Sequence, residues 1–435
     1  MPLPHALGRI DSLGAVAYEP DSAHPIENRT PTRIMTDYDV SAPLDTDFYG
    51  VFADIPEADR AFWNRARTFS VETLDELAAA WEKAEYPLHL VKRLGYLDLL
   101  TDGVEGPGLT PMSPLAAGLV NMEISRGDGS MGTVIAVQGG LALRSIALLG
   151  SDEQKAKWLV PLARAEKLGA FALTEPDHGS DSAGLETSAR RDGDEWVLNG
   201  AKRWIGNGSV GDVTVVWARV EGGDEGGDDS GNVRGFLVEQ DTPGYIATTM
   251  TGKGSLRAIH QADIVLEDVR IPLENVLPGS RTFKDTSTVL AATRLGVAWS
   301  ALGHATAVFE AALSYSTQRT QFGKKLAGFQ LVQERLTGML AQLTSMQLHC
   351  LRLAELDARG TLTPMQASLS KYHNTRTARQ IASVARDLLG GNGILLENHV
   401  IRHLVDIESI HTYEGTESIQ ALLIGRQLTG VSAFV

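Results

Sequence analysis

Residues 195–220, EWVLNGAKRWIGNGSVGDVTVVWARV, divide the chain, because their composition is that of β-strands while the sequence on either side is helical. Val, Ile and Trp are frequent in this stretch, and Gly, Asn and Asp punctuate it, as in short strands joined by turns. Residues 234–240, RGFLVEQ, and 261–272, QADIVLEDVRIP, have the same character. The middle of the chain is therefore predicted to form a small β domain.

Both flanking regions carry apolar residues at three- and four-residue spacing, which is typical of amphipathic helices. On the N-terminal side this pattern covers residues 72–97 and 118–150. On the C-terminal side residues 283–319 could form one helix about 50 Å long at 1.5 Å per residue. Residues 364–391 begin with proline and end with two glycines, which is the asymmetry expected of helix termini. Further C-terminal helices are predicted at residues 331–360, 364–391 and 418–430.

The predicted fold is α+β with several domains, because several long amphipathic helices on each side of the strands imply helical domains. The segments are an extended N-terminal arm (1–45), an N-terminal helical domain (46–168), a central β-barrel or sandwich (169–278) and a C-terminal four-helix bundle (279–435). Between two strands, the acidic Gly-rich residues 221–232 are predicted to form a flexible hairpin loop.

Composition excludes some classes of protein. The formal net charge of -15 over 435 residues argues against nucleic-acid binding, which depends on Lys and Arg at phosphates. The single cysteine, Cys350, forms no intrachain disulfide and lies in an apolar helical run, so it is predicted to be a core residue. We find no membrane span and no convincing signal peptide, and the expected location is cytoplasmic.

Five short motifs carry polar or glycine-rich chemistry: FALTEPDHGSD (171–181), AKRWIGNGS (201–209), RTQFGKKL (319–326), LLGGNGI (388–394) and HTYEGTESIQ (411–420). Each alone has an ordinary explanation: a β-turn, a core tryptophan, a solvated helix end, a helix C-cap and a helix N-terminus. A metal site is not predicted, because the first motif offers one nitrogen ligand only, His178.

Taken in this order, the five motifs resemble those of the acyl-CoA dehydrogenase family, from about residue 50 to the C-terminus. Residues 388–430 are similar to the glutaryl-CoA dehydrogenase branch. The stretches WEKAEYPLHL and TPMQASLSKYHNTRTAR are similar to plant short-chain acyl-CoA oxidases of that branch. The resemblance implies that tightly bound FAD oxidises an acyl-CoA thioester to the trans-2-enoyl-CoA, with hydride transfer to the flavin N5.

The resemblance makes Glu414 the base that removes the α-proton, with its backbone N–H in the oxyanion site. A carboxylate of ordinary pKa, about 4.3, is a weak base, but burial beside an acyl chain raises the pKa. Tyr413 and Gly415 are expected to hold Glu414 against the substrate. Arg294 is expected to lie near the base and the CoA.

The resemblance also implies residues that contact FAD. Those expected to touch the flavin ring, its wall, the phosphates or the adenosine are Phe171, Leu173, Thr174, Gly179, Ser180, Trp204, Ile205, Thr416 and Ser418. Those expected to reach the FAD bound mainly by a neighbouring subunit are Arg319, Gln321, Phe322, Gly390 and Gly391. This second group implies a homotetramer built as a dimer of dimers. Gly206 departs from the threonine that is common in the family.

The expected acyl-chain site includes Met131, Gly132, Val134 and Ile135. Glutaryl-CoA dehydrogenases carry an arginine for the distal carboxylate of the substrate where this chain has Gly132. A buried carboxylate without a cation is unfavourable by several kcal/mol. The sequence therefore predicts a neutral short or medium acyl chain rather than glutaryl-CoA.

Several alternatives stay open. Electron-transferring flavoprotein is the expected electron acceptor, but a short-chain acyl-CoA oxidase that uses O₂ shares the same motifs. A glutaryl-CoA dehydrogenase is a further alternative within the branch. A non-catalytic scaffold that binds acyl-CoA is a different class, which retention of Glu414 within YEGT disfavours.

Overall fold

The computed structural model describes residues 38–222 and 231–434. Most of the predicted N-terminal arm, residues 1–37, and the core of the predicted acidic loop, residues 223–230, lie outside the described residues. Residues 38–45 contain neither helix nor strand, and they pack against the long C-terminal helix through Tyr38 and Val40.

The N-terminal domain is helical. Its helices are α1 (Glu57–Lys83), α2 (Leu88–Tyr96), α3 (Pro114–Gly127), α4 (Gly129–Ile135), α5 (Arg144–Leu149) and α6 (Asp152–Ala163). Asp128 separates α3 from α4: its backbone is extended, and its carboxylate accepts hydrogen bonds from the N–H groups of Ser130 and Met131. This is an N-cap, which begins a new helix inside a sequence pattern that is helical throughout.

A wider helical segment, Ala136–Leu143, joins α4 to α5, so residues Gly129–Leu149 form one continuous apolar helical stretch. Within the described part of the chain, this stretch alone is long and apolar enough to cross a membrane. Of its most apolar window, 72% is buried inside the protein, which is typical of a core helix.

The middle domain is a curled seven-stranded sheet. Its strands are β1 (Gly169–Ala172), β2 (Ser188–Asp192), β3 (Glu195–Gly206), β4 (Val213–Val220), β5 (Val233–Glu239), β6 (Tyr245–Thr249) and β7 (Gln261–Pro272). Strand β4 pairs in parallel with β1 and β2 and antiparallel with β5. Strand β3 runs antiparallel between β2 and β7, and β6 forms the edge beside β7.

The C-terminal domain is again helical. Its elements are α7 (Phe283–Gln318), the hairpin β8 (Thr320–Gln321) and β9 (Lys324–Lys325), α8 (Gln330–Ala358), α9 (Pro364–Leu388), α10 (Val400–Thr412) and α11 (Glu417–Thr429). Helix α7 is the single long helix that the sequence predicts. Helix α9 begins at Pro364 after a Thr363 capping box and ends before Gly390, whose φ is 59°.

One large hydrophobic core joins the two helical domains, since Leu119 and Met122 of α3 pack with residues of α7, α8, α9 and α10. Cys350 is buried in this core, as predicted, and burial raises the pKa of its thiol. The predicted order of helical, β and helical domains is confirmed.

Candidate active site

The loop that carries Glu414 lies between α10, which ends at Thr412, and α11, which begins at Glu417. Two consecutive residues have left-handed backbones: Glu414, with φ 57°, and Gly415, with φ 85°. A Cβ at position 415 would lie 2.6 Å from Nε2 of Gln420. The turn therefore requires glycine at 415, while the unfavourable conformation of Glu414 is imposed by its surroundings.

The carboxyl group of Glu414 is enclosed although part of the residue remains accessible to solvent. Burial raises the pKa of this carboxyl group. Thr293 opposes that change, because its Oγ1 lies 2.7 Å from Glu414 Oε2 and donates a hydrogen bond to it. The charges of Arg294 and Lys371 oppose it as well, whereas the carboxylate of Asp102 adds to it.

Of these neighbours, Arg294 is recognisable from the sequence and the others are not. Lys371, on α9, donates hydrogen bonds to the backbone carbonyls of His411 and Gly415. Asp102 accepts a hydrogen bond of 2.6 Å from Asn121 and pairs with Arg144 at 3.1 Å. Their partners lie on other elements of the chain, so no local pattern marks them.

Tyr413 lies where the core of the N-terminal domain meets that of the helical bundle. Its buried hydroxyl hydrogen-bonds to Thr133 and Ser300, and burial raises its pKa. Ser125 donates a hydrogen bond of 2.8 Å to Ser300. The four residues Ser125, Thr133, Ser300 and Tyr413 form a hydroxyl cluster beside the candidate base.

The expected acyl-chain residues Met131, Gly132, Val134 and Ile135 all lie on α4 and are buried. Gly132 faces α3 closely, since a Cβ there would lie 2.2 Å from Ser125 Oγ. A longer side chain at 132 would have to displace Ser125. Position 132 thus touches the hydroxyl cluster and leaves no space for a cation.

The first two glycine-rich motifs meet at one edge of the sheet. The N–H of Arg203 donates a hydrogen bond of 2.9 Å to the carbonyl of Thr174. The neighbouring residue Lys202 is buried, and its Nζ donates hydrogen bonds to the Glu175 carboxylate at 2.8 Å and to the carbonyl of Leu173. Burial raises the pKa of Glu175, but Lys202 and backbone N–H donors more than offset this effect and lower the pKa to about 2.

The side chains in these two motifs are divided between core and surface. Phe171, Leu173 and Ile205 are buried in the hydrophobic cores, so only their backbones can face a ligand. Trp204 is 56% exposed, with a left-handed φ of 66°. Gly179 and Ser180 are exposed, and a Cβ at 179 would meet nothing within 4 Å.

A second group of expected cofactor residues lies at the other end of α7. Phe322 is 93% exposed at the tip of the β8–β9 hairpin, and Gln321 is exposed beside it. Arg319 donates a hydrogen bond of 2.9 Å to Tyr38, whose ring packs on Tyr315. Asn392 donates to the Tyr315 hydroxyl, and this contact brings the exposed Gly390–Gly391 segment to the same end.

The two groups are well separated. Arg294 lies on α7 and Arg319 follows its last residue; they are 25 residues apart (319 − 294), which corresponds to about 37 Å along the helix. Of the last two expected cofactor residues, Thr416 uses its hydroxyl to cap α11 by accepting from the Ile419 N–H, while Ser418 is exposed. The described residues contain no group of three His, Cys, Asp or Glu side chains placed to hold a metal ion.

The candidate site thus combines an enclosed carboxyl group of raised pKa beside a left-handed turn with an exposed indole where two glycine-rich motifs meet. Models of the N-terminal, middle and C-terminal domains of acyl-CoA dehydrogenases match residues 56–166, 170–269 and 283–429. The chain belongs to the acyl-CoA dehydrogenase family, whose members are FAD enzymes acting on the CH–CH bond of acyl-CoA.

Three relatives indicate where the chain lies within the family. The mitochondrial short-chain specific acyl-CoA dehydrogenase of Rattus norvegicus is 35% identical over 382 residues, covering 86% of this chain and 91% of that protein. A glutaryl-CoA dehydrogenase structure from Mycobacterium smegmatis is 41% identical, with a TM-score of 0.85, covering 89% and 98% of the two chains. A glutaryl-CoA dehydrogenase structure from the same organism, in complex with FADH2, is 38% identical, with a TM-score of 0.84, covering 88% and 97%.

The residues of this chain fit FAD. Trp204 presents an exposed indole face where the first two motifs meet, which suits a planar ring. The exposed Ser180 and the open Gly179 offer a hydroxyl and unobstructed backbone to a phosphate. A Cβ at Gly206 would lie 2.8 Å from Val137, so the family threonine would clash here without a shift of that side chain.

Proposed function

We propose that this protein dehydrogenates a neutral short-chain or medium-chain acyl-CoA to the trans-2-enoyl-CoA, with Glu414 as the base. The observation that carries the proposal is the enclosed Glu414 carboxyl group, whose pKa burial raises, which accepts a hydrogen bond from Thr293 and which feels the charges of Arg294 and Lys371. Bound FAD supplies the hydride acceptor for this reaction.

The surroundings of Glu414 suit removal of a weakly acidic α-proton. Burial makes the carboxylate a stronger base than it is in water, because the charged form loses hydration. The charges of Arg294 and Lys371 oppose this rise in pKa and favour the ionised form of Glu414. The left-handed turn at 414–415 fixes where the carboxylate points, and the backbone N–H of Glu414 is the proposed donor to the thioester oxygen.

The hydroxyl cluster supports a neutral acyl chain. Its members Ser125, Thr133, Ser300 and Tyr413 carry no formal charge, and they hydrogen-bond to one another. The nearby Arg126 is committed to Glu123 and Glu310 at 3.2 Å each. A distal carboxylate would therefore be buried without a cation, which is unfavourable by about 3–5 kcal/mol.

Residues expected to serve the cofactor of a neighbouring subunit support a homotetramer, built as a dimer of dimers. These residues, which lie at the far end of α7 from Glu414, are Arg319, Gln321, Phe322, Gly390 and Gly391. The proposed electron acceptor is electron-transferring flavoprotein.

An anaerobic flavin-bleaching screen tests the proposal. The holoenzyme is mixed with butyryl-, hexanoyl-, octanoyl- and glutaryl-CoA, and we expect a neutral chain to bleach the flavin fastest. Glu414→Gln should keep the yellow FAD and lose bleaching, because the amide cannot accept the α-proton. Glutaryl-CoA as the best substrate, or full bleaching by Glu414→Gln, would refute the corresponding part of the proposal.

Two related functions remain as candidates. A glutaryl-CoA dehydrogenase is favoured by the 41% identity to the M. smegmatis protein, and the same screen decides it. An acyl-CoA oxidase would produce peroxide in air without an added acceptor, which is measured on the same enzyme preparation.

A further inference from the structure

Lys371 is buried in the helical bundle, with 0% of the residue exposed. It lies about two turns after the start of α9, and its Nζ points at the loop that carries Glu414. Nζ donates one hydrogen bond of 2.5 Å to the carbonyl of Gly415 and one of 3.4 Å to the carbonyl of His411. These two carbonyls flank Glu414, so one ammonium group holds both sides of the loop.

The loop needs such an anchor. A glutamate in the left-handed region is unfavourable, and such conformations persist only where neighbours impose them. Gln420 provides a second anchor, since its Nε2 donates to the carbonyls of Glu414 at 3.0 Å and Gly415 at 3.1 Å. The Gly415 carbonyl thus accepts from a charged donor and from a neutral one.

Lys371 also acts on Glu414 through its charge. The charged groups that face Lys371 are Glu414 from the loop, Arg294 from α7 and Glu417 from α11. The titratable ring of His411, at the end of α10, faces it as well. Burial lowers the pKa of Lys371 to about 8, with Glu414 opposing and Arg294 adding to the effect. Burial of the Glu414 carboxyl group and the charge of Asp102 raise the pKa of Glu414, whereas the positive charge of Lys371 lowers it.

We propose that Lys371 is a positioning residue for the base: it fixes the carbonyls on both sides of Glu414, and its charge sets the pH range in which Glu414 can accept a proton. The inference rests on the proposed function of Glu414. Control of that base thereby belongs to a residue on a different helix, α9.

Lys371→Met separates this role from a merely structural one. Without the ammonium charge the pKa of Glu414 rises, so less of the base is ionised at low pH. We expect the acid limb of the bleaching rate to move to higher pH, with a loss of about tenfold below that limb for each pH unit of displacement. The measurement is anaerobic rapid mixing of the holoenzyme with the best acyl-CoA from the screen, from about pH 5 to about pH 9.

Gln420→Leu is the matched control, because it removes the neutral anchor of the same carbonyl and leaves the charge in place. It should lower the rate at all pH values without moving the acid limb. The proposal is overturned if Lys371→Met leaves the limb where the wild type has it, whether the rate is unchanged or uniformly lower. A wild-type flavin that no acyl-CoA bleaches refutes instead the proposed function.

Should Lys371→Met not be recovered with FAD, Lys371→Gln decides, because it removes the charge and keeps a hydrogen-bond donor for the carbonyl of Gly415. The acid limb should again move to higher pH, whereas Lys371→Arg, which keeps the charge, should leave it nearer the wild-type position. An acid limb that Lys371→Gln leaves in place, or that Lys371→Arg displaces as far as Lys371→Gln does, overturns the proposal.

Discussion

Thr293→Val tests the physical origin of the proton affinity of Glu414. The substitution keeps the shape of the side chain and removes the hydroxyl that donates to Glu414 Oε2 at 2.7 Å. The same hydroxyl lies 2.9 Å from the carbonyl of Leu290, so its single hydrogen serves one acceptor at a time. That backbone carbonyl belongs to the helix, and it loses little when the hydroxyl is removed.

The magnitude follows from the charge of the acceptor. A hydrogen bond to an ionised group contributes about 1.5–3 kcal/mol. At 1.36 kcal/mol per pH unit, its loss should raise the pKa of Glu414 further by about 1–2. Since the base acts when ionised, the rate of flavin bleaching at low pH should fall about 10–100-fold in Thr293→Val, and the rate well above the acid limb should change little.

The assay is the pH dependence of anaerobic bleaching by the preferred acyl-CoA. Thr286→Val is the matched control, because Thr286 is buried on the same helix and its Oγ1 has no hydrogen-bond partner among the described residues. The control should keep the wild-type acid limb. An acid limb that Thr293→Val leaves in place, or that both variants displace equally, would refute the reasoning.

Three further variants probe the acyl site, the sheet edge and the oligomer. Met131→Ala should raise the ratio of the octanoyl-CoA rate to the butyryl-CoA rate about tenfold, because the space it vacates favours longer chains. The control Met122→Ala lies in a different core cluster and should leave the ratio unchanged. An unchanged ratio in Met131→Ala would place the acyl chain elsewhere. Lys202→Met should lower the free energy of unfolding by about 3–5 kcal/mol, because the buried Glu175 loses its cation. The control Lys167→Met removes only an exposed ion pair and should have a much smaller effect. Equal effects of the two variants in denaturant titrations would contradict this. Phe322→Ser should weaken the oligomer and FAD retention, seen as a smaller species in sedimentation, and an unchanged mass would count against a subunit contact there.

Local sequence patterns determined the elements of this protein. Strand-forming composition and turn residues predicted the strands around 195–220, and Pro364 with Gly390 bounded α9 as expected. Asp128 shows the limit of this reasoning: its carboxylate caps a new helix in the middle of an apolar pattern that reads as continuous. Caps, periodicity and turns act over a few residues, so a sequence carries them directly.

Tertiary structure alone decided the environment of the base. Glu414 was identified by its resemblance to the family, but Thr293 is 121 residues away in the chain, and Lys371 is 44 residues from the carbonyl that it holds. Burial raises the pKa of a carboxyl group only after α7, α9 and α10 have packed around it, and the opposing charges depend on which faces of those helices meet. Periodicity indicates which face of a helix is apolar, while the partner that covers it is fixed by the packing of the whole chain.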